Sequence, residues 1–129
     1  MLSVAMVGCG AIGAGVLELL HGDREVRIDA VIVGESGREQ AQIAVDRWAS
    51  HARVIERLDG TAPDLLVECA GHAAIEEHVL PALGQGIVCV VASVGALSEP
   101  GLARRLEEAA RRGGTQVQLL AGAIGAIDA

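Results

Sequence analysis

VAMVGCGAIG, residues 4–13, is the stretch that decides the fold of this chain. The uncharged run from Leu2 to Val7 predicts a short buried strand, and the apolar spacing from Ala11 to Leu20 predicts a helix. Three glycines between them have the spacing G-x-G-x-x-G: Gly8, Gly10 and Gly13. In this setting the first glycine permits a tight turn, the second lets a pyrophosphate approach the backbone, and the third lets the helix pack closely. The helix N-terminus then offers N–H groups to the anion.

The context of this glycine fingerprint gives it its meaning. A chain with 17 glycines can contain the spacing by chance, so a purely structural turn is the alternative. The strand before the fingerprint and the helix after it favour a dinucleotide-binding loop. We expect the helix to pack through one apolar face, formed by Ile12, Val16, Leu19 and Leu20. We expect a cofactor to contact five residues of the loop: Gly8, Gly10, Ala11, Ile12 and Gly13.

Strand and helix signals alternate along the rest of the chain. We predict six strands, at residues 2–7, 28–33, 53–55, 65–69, 87–92 and 117–120. We predict the later helices at residues 38–49, at residues 73–83, and from a cap at Ser98 to about Arg112. This alternation indicates an α/β domain over residues 1–129: a Rossmann-type doubly wound, mostly parallel six-stranded sheet with helices on both faces. The ligand crevice of such a sheet lies beyond the carboxyl ends of its strands.

The composition narrows the class of partner. Hydrophobic residues make up 51% of the 129, which is typical of a parallel sheet covered on both faces. Trp48 is the only aromatic residue and the formal net charge is −7, so a nucleic-acid partner is not expected. We expect no membrane partner, because the apolar opening is better explained by an amphipathic helix than by a signal or a membrane span.

The cysteines indicate a cytoplasmic protein without a metal centre. Cys9, Cys69 and Cys89 are widely spaced and odd in number, which favours reduced thiols. We expect them to be small buried side chains, with a reactive Cys9 as the alternative. Since no cluster of histidines and acids has metal-ligand spacing, we expect no metal site. A hydrolase triad of Ser93, His72 and Asp128 is disfavoured, because the chain has no G-x-S-x-G elbow.

Two residues bear on the choice of cofactor. NAD enzymes place an acid about 20 residues after the fingerprint, on the ribose hydroxyls. Glu35 lies slightly late for this role, in the loop after the second predicted strand. Arg38 lies nearby and suits a 2′-phosphate, while a solvated turn is the alternative for both residues. NAD is therefore the expected cofactor, and NADP stays open.

Four segments resemble the L-aspartate dehydrogenase family. They are residues 8–13 (GCGAIG), 67–72 (VECAGH), 93–97 (SVGAL) and 122–129 (GAIGAIDA). The first is generic to Rossmann enzymes, whereas the second and fourth are more specific. Together the segments span nearly all of the chain. The sequence departs from the family at Ala121, where members often have a proline.

The resemblance implies a function. It implies NAD(P)-dependent oxidative deamination of L-aspartate to iminoaspartate, which feeds nicotinamide nucleotide biosynthesis. It also implies that Ala123 contacts the cofactor near the nicotinamide. The family's catalytic histidine belongs to a C-terminal domain that also builds the substrate site and the homodimer. We therefore expect that histidine beyond Ala129, assign no catalytic residue here, and expect residues 1–129 alone to be inactive.

The loop after the fourth predicted strand supplies further cofactor candidates. Ala70, Gly71 and His72 lie at the mouth of the expected crevice. A histidine there can polarise a substrate carboxylate, but a packing or helix-capping role is the favoured interpretation. Two alternatives to the enzyme stay open: a non-catalytic dinucleotide-binding module, and the cofactor domain of another Rossmann dehydrogenase, such as a homoserine-type enzyme.

Overall fold

The strands form one parallel sheet. The structure, a computed structural model, describes residues 1–58, 60, 62–93 and 99–120. Within these residues the strands are β1 (Leu2–Val7), β2 (Val26–Ile32), β3 (Arg53–Ile55), β4 (Leu65–Glu68), β5 (Val88–Val91) and β6 (Val117–Leu119). Their order is β3-β2-β1-β4-β5-β6, and every neighbouring pair is parallel. This is the order of a doubly wound dinucleotide-binding sheet, in which the direction of winding reverses at β1.

Among the described residues, helices occupy four of the five connections between strands, and the connection from β3 to β4 contains none. They are α1 (Ala11–Leu19), α2 (Arg38–Trp48), α3 (residues 72–84) and α4 (Leu102–Gly113), and a 3₁₀ turn, Glu35–Gly37, precedes α2. The middle of α3, Ile75–Val79, is π-helical, and the Leu80 amide donates to the Ile75 carbonyl. Pro81 follows directly and has no amide hydrogen for the usual i→i−4 bond, so the helical ladder is irregular at this point.

Two apolar layers lie on opposite faces of the sheet. Alternate residues of β1 point to different layers, because successive side chains of a strand face opposite ways. Val4 and Met6 pack with the residues of α1 and α2, whereas Ala5 and Val7 pack with those of α3 and α4. The predicted sheet with helices on both faces is therefore confirmed. Among the described residues, no helix has the length and apolarity needed to cross a membrane.

The predicted inner face of α1 is half correct, because Val16 and Leu20 pack against the core whereas Ile12 and Leu19 do not. Helical spacing also predicts inner faces for the other helices: Ala41, Ala44, Val45 and Trp48 in α2, Ile75, Val79 and Leu83 in α3, and Leu102, Leu106, Ala109 and Ala110 in α4. These faces are confirmed, since all the residues are buried except Ala44 and Trp48, which are partly buried against the core. In α1, however, Ile12 is 70% exposed and Leu19 is 82% exposed, whereas Gly13 and Leu17 are buried. Gly13 faces the β1 turn and sets the rotation of the helix, so Leu17, one turn later, takes the core position.

Candidate functional site

Neighbouring protein atoms lie close to two glycines of the turn after β1. Gly8 has a φ of +91°, and its N–H donates to the Ile32 carbonyl at 2.8 Å. A Cβ atom on Gly8 would lie 2.7 Å from the Cβ of Ala70, closer than side chains approach. A Cβ atom on Gly13 would lie 3.0 Å from the Gly8 carbonyl oxygen. Both glycines therefore satisfy requirements of the fold itself, a left-handed turn and a close helix–strand contact.

Gly10 is different, because the fold does not require a glycine there. Its φ is −83°, which any residue adopts, and a Cβ atom on it would meet no protein atom within 4 Å. Gly10 is the N-cap of α1, makes no side-chain capping hydrogen bond, and is followed by a first turn without acidic residues. The amides of Ala11 and Ile12, in the first turn, have no hydrogen-bond acceptor within the helix and lie at the positive end of its dipole. A bound anion would fill the open space at Gly10.

Glu68, at the carboxyl end of β4, is the buried polar residue of the described chain, with 0% exposure. Its Oε2 accepts hydrogen bonds from the amides of Ala70 at 2.8 Å and Gly71 at 2.6 Å. Its Oε1 accepts one from the Ser93 amide at 3.3 Å. These donors offset the free-energy cost of taking a carboxylate out of water. The sequence signal for this site is a charged residue at the end of an apolar strand.

The structure brings the loop after β4 against the glycine turn. Ala70 is the residue that a side chain on Gly8 would strike, and Gly71 has a φ of +128°. β1 and β4 are paired neighbours, so their carboxyl ends open on the same crevice. His72, the first residue of α3, is more than 40% exposed and forms an ion pair with Glu99. That hydrogen bond raises the pKa of His72 above its ordinary value.

Glu35 and Arg38 lie on the other side of β1, beyond the carboxyl end of β2. Both are exposed, Glu35 at the start of the 3₁₀ turn and Arg38 at the start of α2. They line one surface groove together with Glu39, Gln42, Ile43 and Asp46. Their assignment to the ribose or to a 2′-phosphate stays a prediction.

Folding also gathers one group of possible metal ligands. His72, Glu76 and Glu99 each place a side-chain ligand atom within 4.8 Å of the others. These residues are far apart in sequence, which is why their spacing gave no signal. Nη1 of Arg105 lies 3.0 Å from Oε1 of Glu76, so a cation already neutralises part of the group. The expected absence of a metal stays a prediction, and the disfavoured triad is untested because Asp128 lies outside the described residues.

The cysteines are free thiols, as expected. Cys9 and Cys89 are buried, and Cys69 is partly buried. Burial raises the pKa of Cys9, and it raises the pKa of Cys89 to about 12. For Cys69 burial is again the main cause of a raised pKa, followed by the charge of Glu68. Since a thiol reacts as its thiolate, these environments argue against the reactive role considered for Cys9.

A cavity elsewhere does not belong to the crevice. It has a volume of about 260 Å³ and is lined by residues that include Ser3, Asp29, His51, Arg53 and Pro63. Ser3 lies near the start of β1, Arg53 begins β3 and Pro63 precedes β4. The cavity therefore lies towards the amino ends of the strands, away from the edge where doubly wound sheets bind their ligands. Ala123, the site residue implied by the resemblance, lies outside the described residues.

Comparison with known families agrees with the geometry of the crevice. The family model described as homoserine dehydrogenase, NAD binding domain, matches residues 8–120. The match begins at Gly8 and ends directly after β6, so it contains the whole glycine turn and nearly the whole sheet. The expectation of a nicotinamide dinucleotide as cofactor is confirmed, without a choice between NAD and NADP.

Two curated relatives are similar over the full length of this chain. The chain is 66% identical to L-aspartate dehydrogenase of Polaromonas sp. over 130 residues, covering 100% of this chain and 49% of the relative. It is 67% identical to L-aspartate dehydrogenase of Cupriavidus taiwanensis over 129 residues, covering 100% of this chain and 48% of the relative. The resemblance seen in the four sequence segments is thus confirmed. The chain spans about half the length of these curated relatives.

A solved structure supports the fold. A dehydrogenase from Chromobacterium violaceum superposes with a TM-score of 0.76 at 23% identity, covering 92% of this chain and 35% of that one. At this identity the likeness concerns the architecture of the sheet and helices.

The His72–Glu99 pair predicts a measurable titration. We expect NMR to give His72 a pKa above 6.5. We expect Glu99→Gln to lower it, because the glutamine oxygen can still accept a hydrogen bond but no longer carries the negative charge that favours the imidazolium. Since the folded-state pKa is the raised one, the pair stabilises the fold fully below the unfolded-state pKa. This contribution is lost as the pH rises through the folded-state value. Glu107→Gln, which removes an exposed charge elsewhere, is the control and should leave the His72 titration unchanged. Equal His72 pKa values in the wild type and Glu99→Gln would contradict this pairing.

Proposed function

Because this chain belongs to the family of homoserine dehydrogenase NAD-binding domains, we propose that it holds the cofactor of an NAD(P)-dependent L-aspartate dehydrogenase. The observation that carries the proposal is the contrast among the three glycines of the fingerprint. Gly8 and Gly13 are needed by the fold, whereas Gly10 faces open space at an uncapped helix N-terminus. A glycine that the fold does not need is accounted for by a ligand that approaches the backbone.

The described residues fit a dinucleotide. The pyrophosphate would lie over Gly10 and the amides of Ala11 and Ile12, where a Cβ atom would otherwise project. Ser93, at the carboxyl edge of β5, has a buried hydroxyl oxygen without a hydrogen-bond partner among the described residues. Buried polar atoms are seldom left unpaired, so this hydroxyl is a candidate for a polar group of the cofactor. The loops after β1, β4 and β5 therefore present both amides and a hydroxyl to one crevice.

In this mechanism the chain binds the cofactor and orients it. When bound, the cofactor supplies a hydride acceptor, and the protein supplies placement, electrostatics and exclusion of water. The α1 N-terminus fixes the pyrophosphate. The loops after β4, with Ala70 and Gly71, and after β5, with Ser93, shape the crevice beyond these strands. We propose that the remaining half of the relatives' length supplies the substrate pocket and the catalytic histidine. A homodimer, a cytoplasmic location and a role in nicotinamide nucleotide biosynthesis belong to the same proposal.

Gly10→Ala tests the carrying observation. We expect it to leave the unfolding midpoint within a few degrees of the wild type, because the new methyl group meets open space. We expect it to weaken NAD+ binding by about tenfold or more, which corresponds to about 1.4 kcal/mol, because the methyl group occupies the position of the pyrophosphate. Calorimetric titration and thermal unfolding give the two quantities. Gly15→Ala in the same helix also faces open space and is the control, with unchanged affinity. Unchanged NAD+ affinity in Gly10→Ala would overturn the assignment of the loop.

Glu35 gives a second test, on the choice of cofactor. We propose that its carboxylate accepts a hydrogen bond from the adenosine ribose and repels a 2′-phosphate, so that NAD+ binds more tightly than NADP+. Glu35→Gln should reduce the ratio of the two affinities by about three- to tenfold, chiefly by improving NADP+ binding. Glu107→Gln, an exposed Glu→Gln change on α4 away from this groove, is the matched control. An unchanged ratio in Glu35→Gln would contradict this role, and weaker NADP+ binding in Arg38→Ala would assign the 2′-phosphate contact to Arg38.

Activity assays test whether this chain binds the cofactor but lacks the substrate pocket. We expect the purified 129-residue chain to bind NAD+ but to form no NADH with L-aspartate, because hydride transfer needs a pocket that holds the substrate against the cofactor and excludes water. The full-length relative from Cupriavidus taiwanensis, assayed in parallel, is the positive control. Formation of NADH by the 129-residue chain would show that it contains a complete site. A longer protein carrying this chain that prefers L-homoserine over L-aspartate would contradict the proposed substrate.

A further inference from the structure

We propose that Glu68 is a positioning residue that fixes the half of the crevice formed by β4 and β5, which receives the nicotinamide end of the cofactor. This inference rests on the proposed function. A doubly wound sheet binds a dinucleotide with one mononucleotide unit on each side of the central strand. Glu35 follows β2 on one side of β1, whereas Glu68 ends β4 on the other. Glu68 therefore lies in the half that does not receive the adenosine.

The Glu68 carboxylate links two segments that lie just beyond the last paired residues of β4 and β5, Glu68 and Val91. Its Oε2 accepts from Ala70 and Gly71, which follow it by two and three residues and shape the turn into α3. Its Oε1 accepts from the Ser93 amide, 25 residues away, where the chain leaves β5. The backbone supplements this link, since the Ala92 amide donates to the Glu68 carbonyl at 2.9 Å. The two exit loops are thereby held at a fixed separation.

The link to Ser93 is what distinguishes positioning from ordinary turn stabilisation. A carboxylate that only shaped the local turn would need Oε2 alone. The bond from Oε1 fixes the backbone of Ser93, the residue whose buried hydroxyl has no partner among the described residues. The same turn carries Ala70, which packs against Gly8. Glu68 thus orients one candidate cofactor contact, Ser93, relative to the glycine turn, without itself being exposed to the crevice.

Glu68→Gln separates these two roles. Its amide oxygen can still accept from Ala70 and Gly71, but its NH₂ group then faces the Ser93 amide, so two donors oppose each other. We expect the variant to weaken NAD+ binding by about tenfold, while ADP, which lacks the nicotinamide riboside, binds within about twofold of the wild type. Glu107→Gln, an exposed Glu→Gln change on α4, is the control and should alter neither affinity. Calorimetric titration of the 129-residue chain with NAD+ and with ADP gives both values.

A merely structural role would give a different result. If Glu68 only stabilised the fold, Glu68→Gln would lower the unfolding midpoint and weaken NAD+ and ADP equally, or would weaken neither, and either outcome would overturn the proposal. If the variant does not fold, hydrogen exchange in the wild type decides: the Ser93 amide must be protected, and exchange at the rate of an unprotected amide would exclude the bond to Oε1. A wild-type chain that binds neither NAD+ nor ADP would instead refute the proposed function, and this inference with it.

Discussion

The crowding around Gly8 is the constraint on which the rest of the structure depends. At this point β1 must turn with a left-handed backbone while the exit of β4 lies in contact, with Ala70 where a Gly8 side chain would be. On the other side, α1 approaches so closely that the Gly8 carbonyl oxygen would lie 3.0 Å from a Cβ atom on Gly13. The position of β1, the rotation of α1 and the path of the β4 exit loop are therefore mutually determined. No single one of them can shift without steric conflict.

The buried carboxylate of Glu68 extends this constraint to β5. An unpaired carboxylate inside a protein is costly, so its presence requires that nearby donors be held in place. Here all three donors are backbone amides of exit loops, and the loops gain order from satisfying the charge. The carboxyl ends of β1, β4 and β5 thus form one packed unit, whereas Glu35 and Arg38 stand exposed on the opposite side of β1. A substitution at these exposed residues would therefore leave the packed unit undisturbed.

Most of the fold could be predicted from the sequence because its signals are local. Apolar runs give the buried strands, and helical spacing correctly gave the inner faces of α2, α3 and α4. In α1 the prediction fails for Ile12 and Leu19, since hydrophobicity favours them whereas close packing requires Gly13 against the sheet. Steric fit between segments outweighs the apolar pattern in α1. The apolar periodicity of a single helix contains no information about this fit. The glycine loop itself was predicted from its spacing together with the strand before it and the helix after it.

The missed parts of the site depend on contacts between distant residues. Glu68 and Ser93 are 25 residues apart, and His72 and Glu99 are 27 apart, so neither pair forms a motif of short spacing. A charge at the end of an apolar strand was the visible sign at Glu68, but burial and bonding partners exist only in the folded chain. Residues 67–72, which contain Glu68, belong to the resemblance to L-aspartate dehydrogenases. The resemblance alone does not explain why a carboxylate occurs there.

An acidic chain that binds an anionic cofactor raises an electrostatic question, which the arrangement of the crevice resolves. The formal net charge is −7, but exposed charges beyond a Debye length of about 10 Å are largely screened at ordinary ionic strength. What a pyrophosphate meets is the first turn of α1, which contains no acidic residue and keeps its amides uncapped by side chains. The acid ending the neighbouring strand β4, Glu68, is turned inward onto three amides and away from solvent. The binding edge is thus locally favourable to an anion although the chain as a whole is negative.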